Sequence, residues 1–490
     1  MSKTHVLGLD LGTSGVKAVL LDEGGRLLAE ANAPLQVQRP QAAWSEQHPQ
    51  DWLAAADSAV RQLGHFADPA DWRAVQALAV AGQMHGAVLL DAAGAVLRPA
   101  ILWNDGRSQA QCAALEQRVP EGRRIAANRA MAGFTAPKLL WVAEHEPEVF
   151  ARLAKVLLPK DWLVWQLSGE MGTDASDASG TWWLDVARRR WSDALLAATG
   201  LHTGHMPALH EGPDAIGWLQ PAWCQAWCLP ARVRVAAGAG DNAAGAVGVG
   251  AVSAGDGFVS LGTSGVLFVA TDAARACPES AVHSFCHALP NTWHQMAVML
   301  SSASALAWLG SVTGCSPGGL LADLTDEVRP AAPLFLPYLS GERTPHADPG
   351  ARASVLGLGA DTTRADLAYA VMEGVAFSFA DGLAALRAAG TEPQRLLALG
   401  GGARSDTWLQ LLADAMGLPL ERPAGAEVGP ALGAARLAQL ALGMPADQVL
   451  RPPATARRFE PRPDARRLLV PRLQRYRDAY APCRALGGLN

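Results

Sequence analysis

A chain of 490 residues is too long for one hydrophobic core, and a net charge of −5 with 50% hydrophobic residues is ordinary for a globular protein. This balance indicates no nucleic-acid partner and no membrane partner. The first residues lack an apolar signal core, and no uninterrupted apolar run reaches the ~18–20 residues that span a bilayer, so we expect a cytoplasmic protein. Seven cysteines, an odd number, do not suggest a disulfide framework.

The hexapeptide Leu-Gly-Thr-Ser-Gly-Val occurs twice, at 11–16 and at 261–266, about half the chain apart. Apolar segments flank each copy, which is typical of two strands joined by a glycine-rich tip. Glycines allow close backbone approach and the hydroxyls add donors, so two facing tips could clamp a polyphosphate. The alternative is a pair of plain turns in a duplicated scaffold. The candidate phosphate-binding residues are Gly12, Thr13, Ser14, Lys17, Gly262, Thr263 and Ser264.

The two copies differ just before the tip, where the first has Asp10 and the second has Ser260. A single carboxylate beside a phosphate cradle suits a Mg²⁺ or water ligand. We therefore predict that Asp10 lies near Mg²⁺, with a turn-forming role as the alternative.

Strands and helices alternate after the first hairpin, which predicts an α/β fold. A third strand is expected over 26–31, a helix from Pro49, and a buried strand over 75–81 that runs into Gly82-Gln-Met-His-Gly86. Further along, the pattern predicts successive helices over 137–144 and 147–157 and a loop over 174–180.

The second half repeats this plan after a strand within 232–245, so we predict domains over 1–248 and 249–490. An apolar stripe predicts a long helix over 364–389. A strand over 395–399 then leads into a glycine-rich turn and a helix from Asp406, where free N–H groups could hold the nucleotide's sugar or base. The candidates in that turn are Gly400, Gly401, Gly402, Arg404 and Ser405.

Gly238-Ala-Gly-Asp-Asn-Ala243 follows a strand and matches the dinucleotide-binding pattern of a Rossmann dehydrogenase. However, the charge of Asp241 would oppose a pyrophosphate in that loop. A carboxylate at the open end of a strand, beside small residues, is better suited to act as a base.

Taken together and in this order, these motifs resemble those of the FGGY carbohydrate kinases over nearly the whole chain. The resemblance implies two duplicated ribonuclease-H-like α/β domains, as in actin and hexokinase, with ATP in the cleft between them. The motifs that carry it are Asp10 to Lys17, Gly82 to Gly86, Ala136-Pro-Lys-Leu-Leu-Trp141, Gly240-Asp-Asn242, Leu261 to Gly265 and Gly400 to Ser405.

By the same resemblance, Asp10 is the acidic residue near Mg²⁺ and Asp241, beside Asn242, is the catalytic base. Met84 and His85 match the pair that contacts a ketose, and glycerol-phosphorylating members carry Arg-Glu there instead. Trp103, Asn104 and Asp105 resemble, more loosely, the segment that closes the sugar pocket.

The resemblance implies ATP-dependent phosphorylation of a ketose, with D-xylulose as the favoured small-molecule substrate and ATP and Mg²⁺ as cofactors. A kinase for another ketose or polyol such as ribulose, an actin- or chaperone-like ATPase and a regulatory sugar-binding protein are the alternatives. The sequence does not decide the assembly, for which a homodimer is one candidate.

Overall fold

The first half of the chain contains a seven-stranded mixed sheet and the second half contains another. They are seen in a computed structural model that describes residues 3–322, 324–424 and 429–487. The strands of the first half are β1 (His5–Leu11), β2 (Gly15–Leu21), β3 (Leu27–Pro34), β4 (Glu46–Gln47), β5 (Val75–Gly82), β6 (Val88–Leu90), β7 (Ala100–Ile101), β8 (Lys155–Leu157), β9 (Gly172–Asp174), β10 (Leu184–Asp185), β11 (Arg190–Trp191), β12 (Ala208–His210), β13 (Ala215–Trp218), β14 (Arg234–Ala236) and β15 (Ala239–Gly240).

Helices connect these strands. They are α1 (Pro49–Phe66), α2 (Pro69–Trp72), α3 (Gln109–Arg118), α4 (Gly122–Ile125), α5 (Thr135–His145), α6 (Pro147–Ala151), α7 (Pro159–Ser168), α8 (Ala175–Ser179), α9 (Asp193–Ala197), α10 (Pro221–Ala226) and α11 (Asp241–Val249).

The second half has a similar set of elements. Its strands are β16 (Asp256–Leu261), β17 (Gly265–Thr271), β18 (His283–Cys286), β19 (Trp293–Met299), β20 (Leu334–Leu336), β21 (Ser354–Leu356), β22 (Arg395–Leu399), β23 (Leu420–Pro423) and β24 (Thr455–Phe459). Its helices are α12 (Ala303–Thr313), α13 (Pro317–Ala322), α14 (Arg364–Ala388), α15 (Asp406–Met416), α16 (Pro430–Ala441), α17 (Ala446–Val449) and α18 (Pro463–Gly487).

The two large sheets share one topology. The first runs β13-β14-β5-β1-β2-β3, with its seventh strand β15 also paired with β5, and the second runs β18-β19-β17-β16-β22-β23-β24. In each, an antiparallel meander (β1-β2-β3 or β16-β17-β19) continues into two parallel strands (β5 and β14, or β22 and β23). The predicted duplicated α/β fold is confirmed by this common order.

The first sheet is covered on one face by α1 and α7, through a cluster that includes Trp52, Leu63 and Leu163. Its other face packs against α11 and against α16, which comes from the second half of the chain. This packing is close, because a Cβ on Gly8 would lie 2.0 Å from the carbonyl oxygen of Ala431. The two halves are therefore joined through α11 and α16. The division at residue 248 stays a prediction.

Two predicted elements are wrong. The helix expected over 147–157 ends at Ala151, and Lys155–Leu157 instead pairs with Val88–Leu90, so a strand partner distant in sequence overrides local preference. The loop expected over 174–180 contains α8, whose first turn is capped by the Asp174 carboxylate, which accepts from Ser176 N at 2.8 Å.

Helix α14 is long and apolar enough to cross a membrane by length and composition. However, 89% of its apolar window is buried inside the protein. The helix packs between α15 and strands β19 and β20, as the core helix of a globular domain does.

Candidate active site

The carboxyl ends of three parallel strands meet in the first sheet and bring Asp10 and Asp241 to one edge. Asp10 on β1 and Ala239 on β15 flank the same residue of β5, Ala81, from opposite sides. Asp241 then begins α11, two residues beyond Ala239. This edge is where ligands bind in open α/β sheets.

Asp241 has the environment of a base that works near neutral pH. Its Oδ1 accepts hydrogen bonds from the backbone N (2.7 Å) and side-chain Nδ2 (2.9 Å) of Asn242. These bonds favour the carboxylate, but burial outweighs them and raises the pKa of Asp241 to about 6. Asp241 also lines the cavity described below.

Asp10 is a half-buried residue whose carboxylate oxygen Oδ1 is fully buried. Its Oδ1 has no hydrogen-bond partner within the described residues. Burial and the nearby charge of Asp241 raise its pKa to about 7, against the lowering effect of Lys17, which lies opposite it on β2 and pairs with Glu30 at 2.8 Å. Such an oxygen fits a hard divalent cation. No cluster of three or more His, Cys, Asp or Glu residues in the described ranges could hold a metal alone, so phosphate oxygens and water would complete the coordination.

A cavity of about 780 Å³ extends from Asp241 to the second half of the chain, large enough for a small-molecule ligand. Of the residues predicted for the nucleotide, Gly400, Gly401 and Arg404 line it. The cavity is completed by Asn242, Gly245, Phe258, Ser260, Ala398, Leu399, Ala403, Arg422, Pro423, Gly429 and Pro430.

The glycine turn is shaped by close packing on the second tip. Gly400 has φ +85°, and a Cβ there would lie 2.9 Å from the backbone of Leu261. Gly402 packs as closely on the Leu261 side chain. Ser405, also predicted to bind nucleotide, caps α15 by accepting from Trp408 N at 3.2 Å. The turn therefore presents Gly400, Gly401 and Arg404 to the cavity, whereas Gly402 and Ser405 support it.

The Met84-His85 pair lies against the turn that carries Asp241. A Cβ on Gly240 would lie 2.9 Å from Met84 Cγ. His85 stacks on Phe134 and donates from Nδ1 to the Gly180 carbonyl (2.7 Å). Burial lowers the pKa of His85 to about 3, so the ring is neutral and Nε2 is an acceptor. The pair therefore packs beside the turn of the candidate base, and neither residue is among those that line the cavity.

The segment Trp103-Asn104-Asp105 has two environments. Trp103 is 40% exposed and donates from Nε1 to Thr13 Oγ1 (2.9 Å), and Asn104 is exposed. Asp105 is buried, and its oxygens accept from Ser45 N (2.6 Å) and from the Arg107 guanidinium. Because both Asp105 oxygens bind groups of the protein, Asp105 supports the segment and leaves no oxygen for a ligand.

Two family profiles cover most of the chain. The N-terminal domain of the FGGY family of carbohydrate kinases matches residues 5–248, and the C-terminal domain of that family matches residues 257–442. The chain belongs to the FGGY family of carbohydrate kinases. Enzymes of this kind transfer a phosphoryl group from ATP to a sugar, and this FGGY kinase has its candidate site between the two matched regions.

Relatives of this FGGY kinase are similar along their full length. The chain is 51% identical to a xylulose kinase of Escherichia coli strain K12, over 97% of this chain and 98% of that one. It is also 51% identical to a xylulose kinase of Klebsiella pneumoniae, covering 90% and 91% of the two chains. A crystal structure of a xyloylose kinase from Brucella ovis superposes with a TM-score of 0.95 at 49% identity, covering 98% of this chain and 100% of that one.

Lys138 is a supporting residue of this FGGY kinase that the sequence did not predict, although it lies in the motif Ala136 to Trp141. Its buried Nζ donates to the carbonyl oxygens of His85 and Gly133, both at 2.8 Å. Those bonds hold His85 at φ +70°, an uncommon conformation for a residue other than glycine. A lone lysine before Leu139-Leu140-Trp141 was the available signal.

Proposed function

We propose that this FGGY kinase phosphorylates D-xylulose at its terminal hydroxyl to give D-xylulose 5-phosphate, with ATP as the donor. The observation that carries the proposal is that Asp241 lines the cavity that reaches Gly400, while Gly240, the residue before it, packs on Met84. The 51% identity to xylulose kinases over almost the whole chain supports the choice of sugar.

Asp241 accepts the proton of the attacking hydroxyl in this proposal. Catalysis of phosphoryl transfer is mainly alignment and charge stabilisation, so a base of pKa about 6 that already lines the cavity is well matched to the step. Thr263 and Ser264 of the exposed second tip, with Gly12 and Ser14 of the first, hold phosphate oxygens. His85 Nε2 and Asn242 orient the sugar.

Asp10 is the residue that would hold Mg²⁺, directly or through water. The bound ion would supply neutralisation of the phosphate charge. Burial and the neighbouring charge of Asp241 raise the pKa of Asp10 to about 7. Lys17, which pairs with Glu30, acts on Asp10 from the neighbouring strand.

Trp103 and Asp105 close the sugar side by different means. Asp105 fixes the segment through Arg107, and Trp103 lies over Thr13 at the surface. We further propose that the enzyme works in the cytoplasm and that a homodimer is its assembly, which size-exclusion chromatography with light scattering would test.

The test is product identification across a panel of ketoses and polyols that includes D-xylulose, D-ribulose and glycerol. We expect ATP-dependent formation of a sugar monophosphate with the highest kcat/KM for D-xylulose. A higher kcat/KM for another sugar would reassign the substrate. ADP release without any sugar phosphate would favour an ATPase instead.

A further inference from the structure

The segment Asp174–Gly180, which includes α8, contacts three separate parts of the molecule. It contacts the turn before Asp241, the ring of His85, and β18 of the second sheet. Every residue from Asp174 to Gly180 is buried. The proposed phosphoryl transfer assigns no role to this segment.

Ser176 forms the contact to the base. Its Oγ accepts a hydrogen bond from the backbone N of Gly240 (3.1 Å), the residue immediately before Asp241, and donates to Asp174 Oδ2. A donor on one side and an acceptor on the other fix the hydroxyl in a single orientation.

Lys160 contacts both Asp174 and the strand end that precedes Gly240. Its fully buried Nζ lies 3.0 Å from Asp174 Oδ1 and 2.6 Å from Asp161 Oδ1, and it donates to the carbonyl of Ala237 at 3.3 Å. Ala237 and Gly240 are therefore both tied to one buried charge cluster. In other proteins, apolar replacement of such clusters is often neutral or stabilising, so orientation explains this one better than stability does.

The other end of the segment reaches the sugar side and the second half of the chain. The Gly180 carbonyl accepts from His85 Nδ1, and a Cβ on Gly180 would lie 2.3 Å from that nitrogen. Ser179 Oγ accepts from Cys286 N of β18 at 3.0 Å. The segment thus contacts the residue before Asp241 through Ser176 and the ring of His85 through Gly180.

We propose that Ser176 is a positioning residue that aims the Asp241 carboxylate through the backbone of Gly240, with the Lys160–Asp174 pair as its anchor. The proposal rests on the proposed function, in which Asp241 is the base. Ser176 acts through Asp241 and does not touch the sugar.

Ser176→Ala tests it, with Ser179→Ala as a matched control. Both serines lie on the same helix, are at most 1% exposed, donate to one acceptor and accept from one backbone N–H. We expect Ser176→Ala to lower kcat by about 10- to 10²-fold with ATP KM within about twofold, since small misplacements of reacting groups have effects of that size. Ser179→Ala should lower the melting temperature comparably while keeping kcat within about threefold.

The same substitution in an Asp241→Asn background shows whether Ser176 acts through the base. We expect the effect of Ser176→Ala on kcat to shrink to about twofold or less there, because the two residues serve one function. An undiminished loss in that background, or equal kcat losses in the two serine variants, would overturn the proposal.

If Ser176→Ala does not fold, Ser176→Cys keeps the volume but replaces the hydroxyl by a weak acceptor and donor. A similar kcat loss is expected, and wild-type kcat in Ser176→Cys would reject the positioning role. The assay uses the sugar that the wild type turns over fastest. No turnover of any sugar would overturn the proposed function and this inference together, whereas the outcomes above reject this inference alone.

Discussion

The two Leu-Gly-Thr-Ser-Gly-Val tips have the same sequence but different backbone registers. In the first, residues 12–15 lie between the paired Leu11 and Val16. In the second, residues 262–264 lie between the paired Leu261 and Gly265. The same six residues therefore form loops of different length, and the cause must lie in their neighbours.

Those neighbours are side chains in one case and a helix end in the other. Thr13 Oγ1 donates to Gln83 Oε1 and accepts from Trp103 Nε1, both at 2.9 Å. The second tip is held by its backbone: Ser302 N donates to Thr263 O (3.0 Å) and Ala303 N donates to Gly262 O (2.9 Å). The hydroxyls of Thr263 and Ser264 are exposed, and among the described residues no hydrogen-bond partner is seen for them.

The two tips therefore have different roles although their sequences are identical. Gln83 precedes the Met84-His85 pair, so the first tip is connected to the sugar side and to Asp10. The second tip offers free hydroxyls and packs on the nucleotide turn through Leu261. A motif match alone would have given both tips the same role.

Asp10→Asn with Ser260→Ala tests the largest difference between the repeats. We expect Asp10→Asn to lower kcat by about 10²-fold or more, as loss of a preorganised charged group does. Ser260→Ala should stay within about threefold, because Ser260 only lines the cavity. Steady-state kinetics at saturating ATP and Mg²⁺ measures kcat for both variants. Equal losses of kcat would contradict the different roles of Asp10 and Ser260.

Asp10→Asn should also stabilise the protein at pH 8. The pKa of Asp10 is raised from 3.8 to about 7, so above pH 7 the folded protein carries a charge that burial disfavours. This charge lowers the free energy of unfolding, and Asp10→Asn should restore it by removing the charge. Differential scanning calorimetry at pH 8 without nucleotide should show a melting temperature higher by roughly 2 °C. A lower melting temperature would show that the carboxylate is structural.

His85→Ala tests the sugar side next to the first tip. A buried contact to a sugar hydroxyl is worth about 1–3 kcal/mol, so the ketose KM should rise about 5- to 150-fold with ATP KM unchanged. His145→Ala is the matched control, because His145 also stacks on an aromatic ring and donates from Nδ1 to a carbonyl, but lies on the exposed face of α5. A changed ATP KM with an unchanged ketose KM would assign the loop that carries His85 to the nucleotide site instead of the sugar site.

The acid limb of the pH profile of kcat/KM should reflect the ionisation of the Asp241 carboxyl group. A base works when deprotonated, and burial raises the pKa of Asp241 from 3.8 to about 6, so kcat/KM should fall about tenfold per pH unit below pH 6. Rates at saturating Mg²⁺ from pH 4.5 to 8 measure this. A limb near pH 4 would mean that the base is exposed or is another group.

Thr263→Val and Thr13→Val give the smallest and most direct comparison of the tips. Thr263→Val should raise ATP KM by about two- to fivefold, the effect of one hydrogen bond. Thr13→Val breaks contacts to Gln83 and Trp103, so the ketose KM should rise more than the ATP KM. The reverse pattern would exchange the roles assigned to the two tips.

Much of the fold could be predicted because its signals are local. The hairpins, β22 at Arg395–Leu399 and α14 from Arg364 follow from apolar periods and glycine turns. The strand β8 and the docking of α16 on the first sheet depend on partners distant in sequence, which no local pattern contains. Helix α8 has a local N-cap at Asp174, but it is only five residues long and its buried Lys160 anchor is a tertiary contact that no local pattern contains.

The positions of site residues could be predicted where a sequence motif fixes the backbone. Their side-chain environments could not, because these depend on residues distant in sequence. Asp10 and Asp241 lie at the ends of parallel strands, and that placement follows from strand order. The burial of Asp105 depends on Arg107, which also stacks 3.5 Å from the ring centre of Trp44. The occupied hydroxyl of Thr13 likewise depends on Gln83, a residue 70 positions away.

In the proposed mechanism Asp241 couples ATP turnover to phosphorylation of a ketose. The direct test is ADP release by the wild type and by Asp241→Asn, each with and without D-xylulose, with ATP affinity and melting temperature measured on the same preparations. We expect D-xylulose to stimulate the wild type strongly, and Asp241→Asn to lose about 10²- to 10⁴-fold in kcat while it binds ATP and unfolds like the wild type. Equal ADP release with and without D-xylulose, or near-wild-type kcat in Asp241→Asn, would contradict the account.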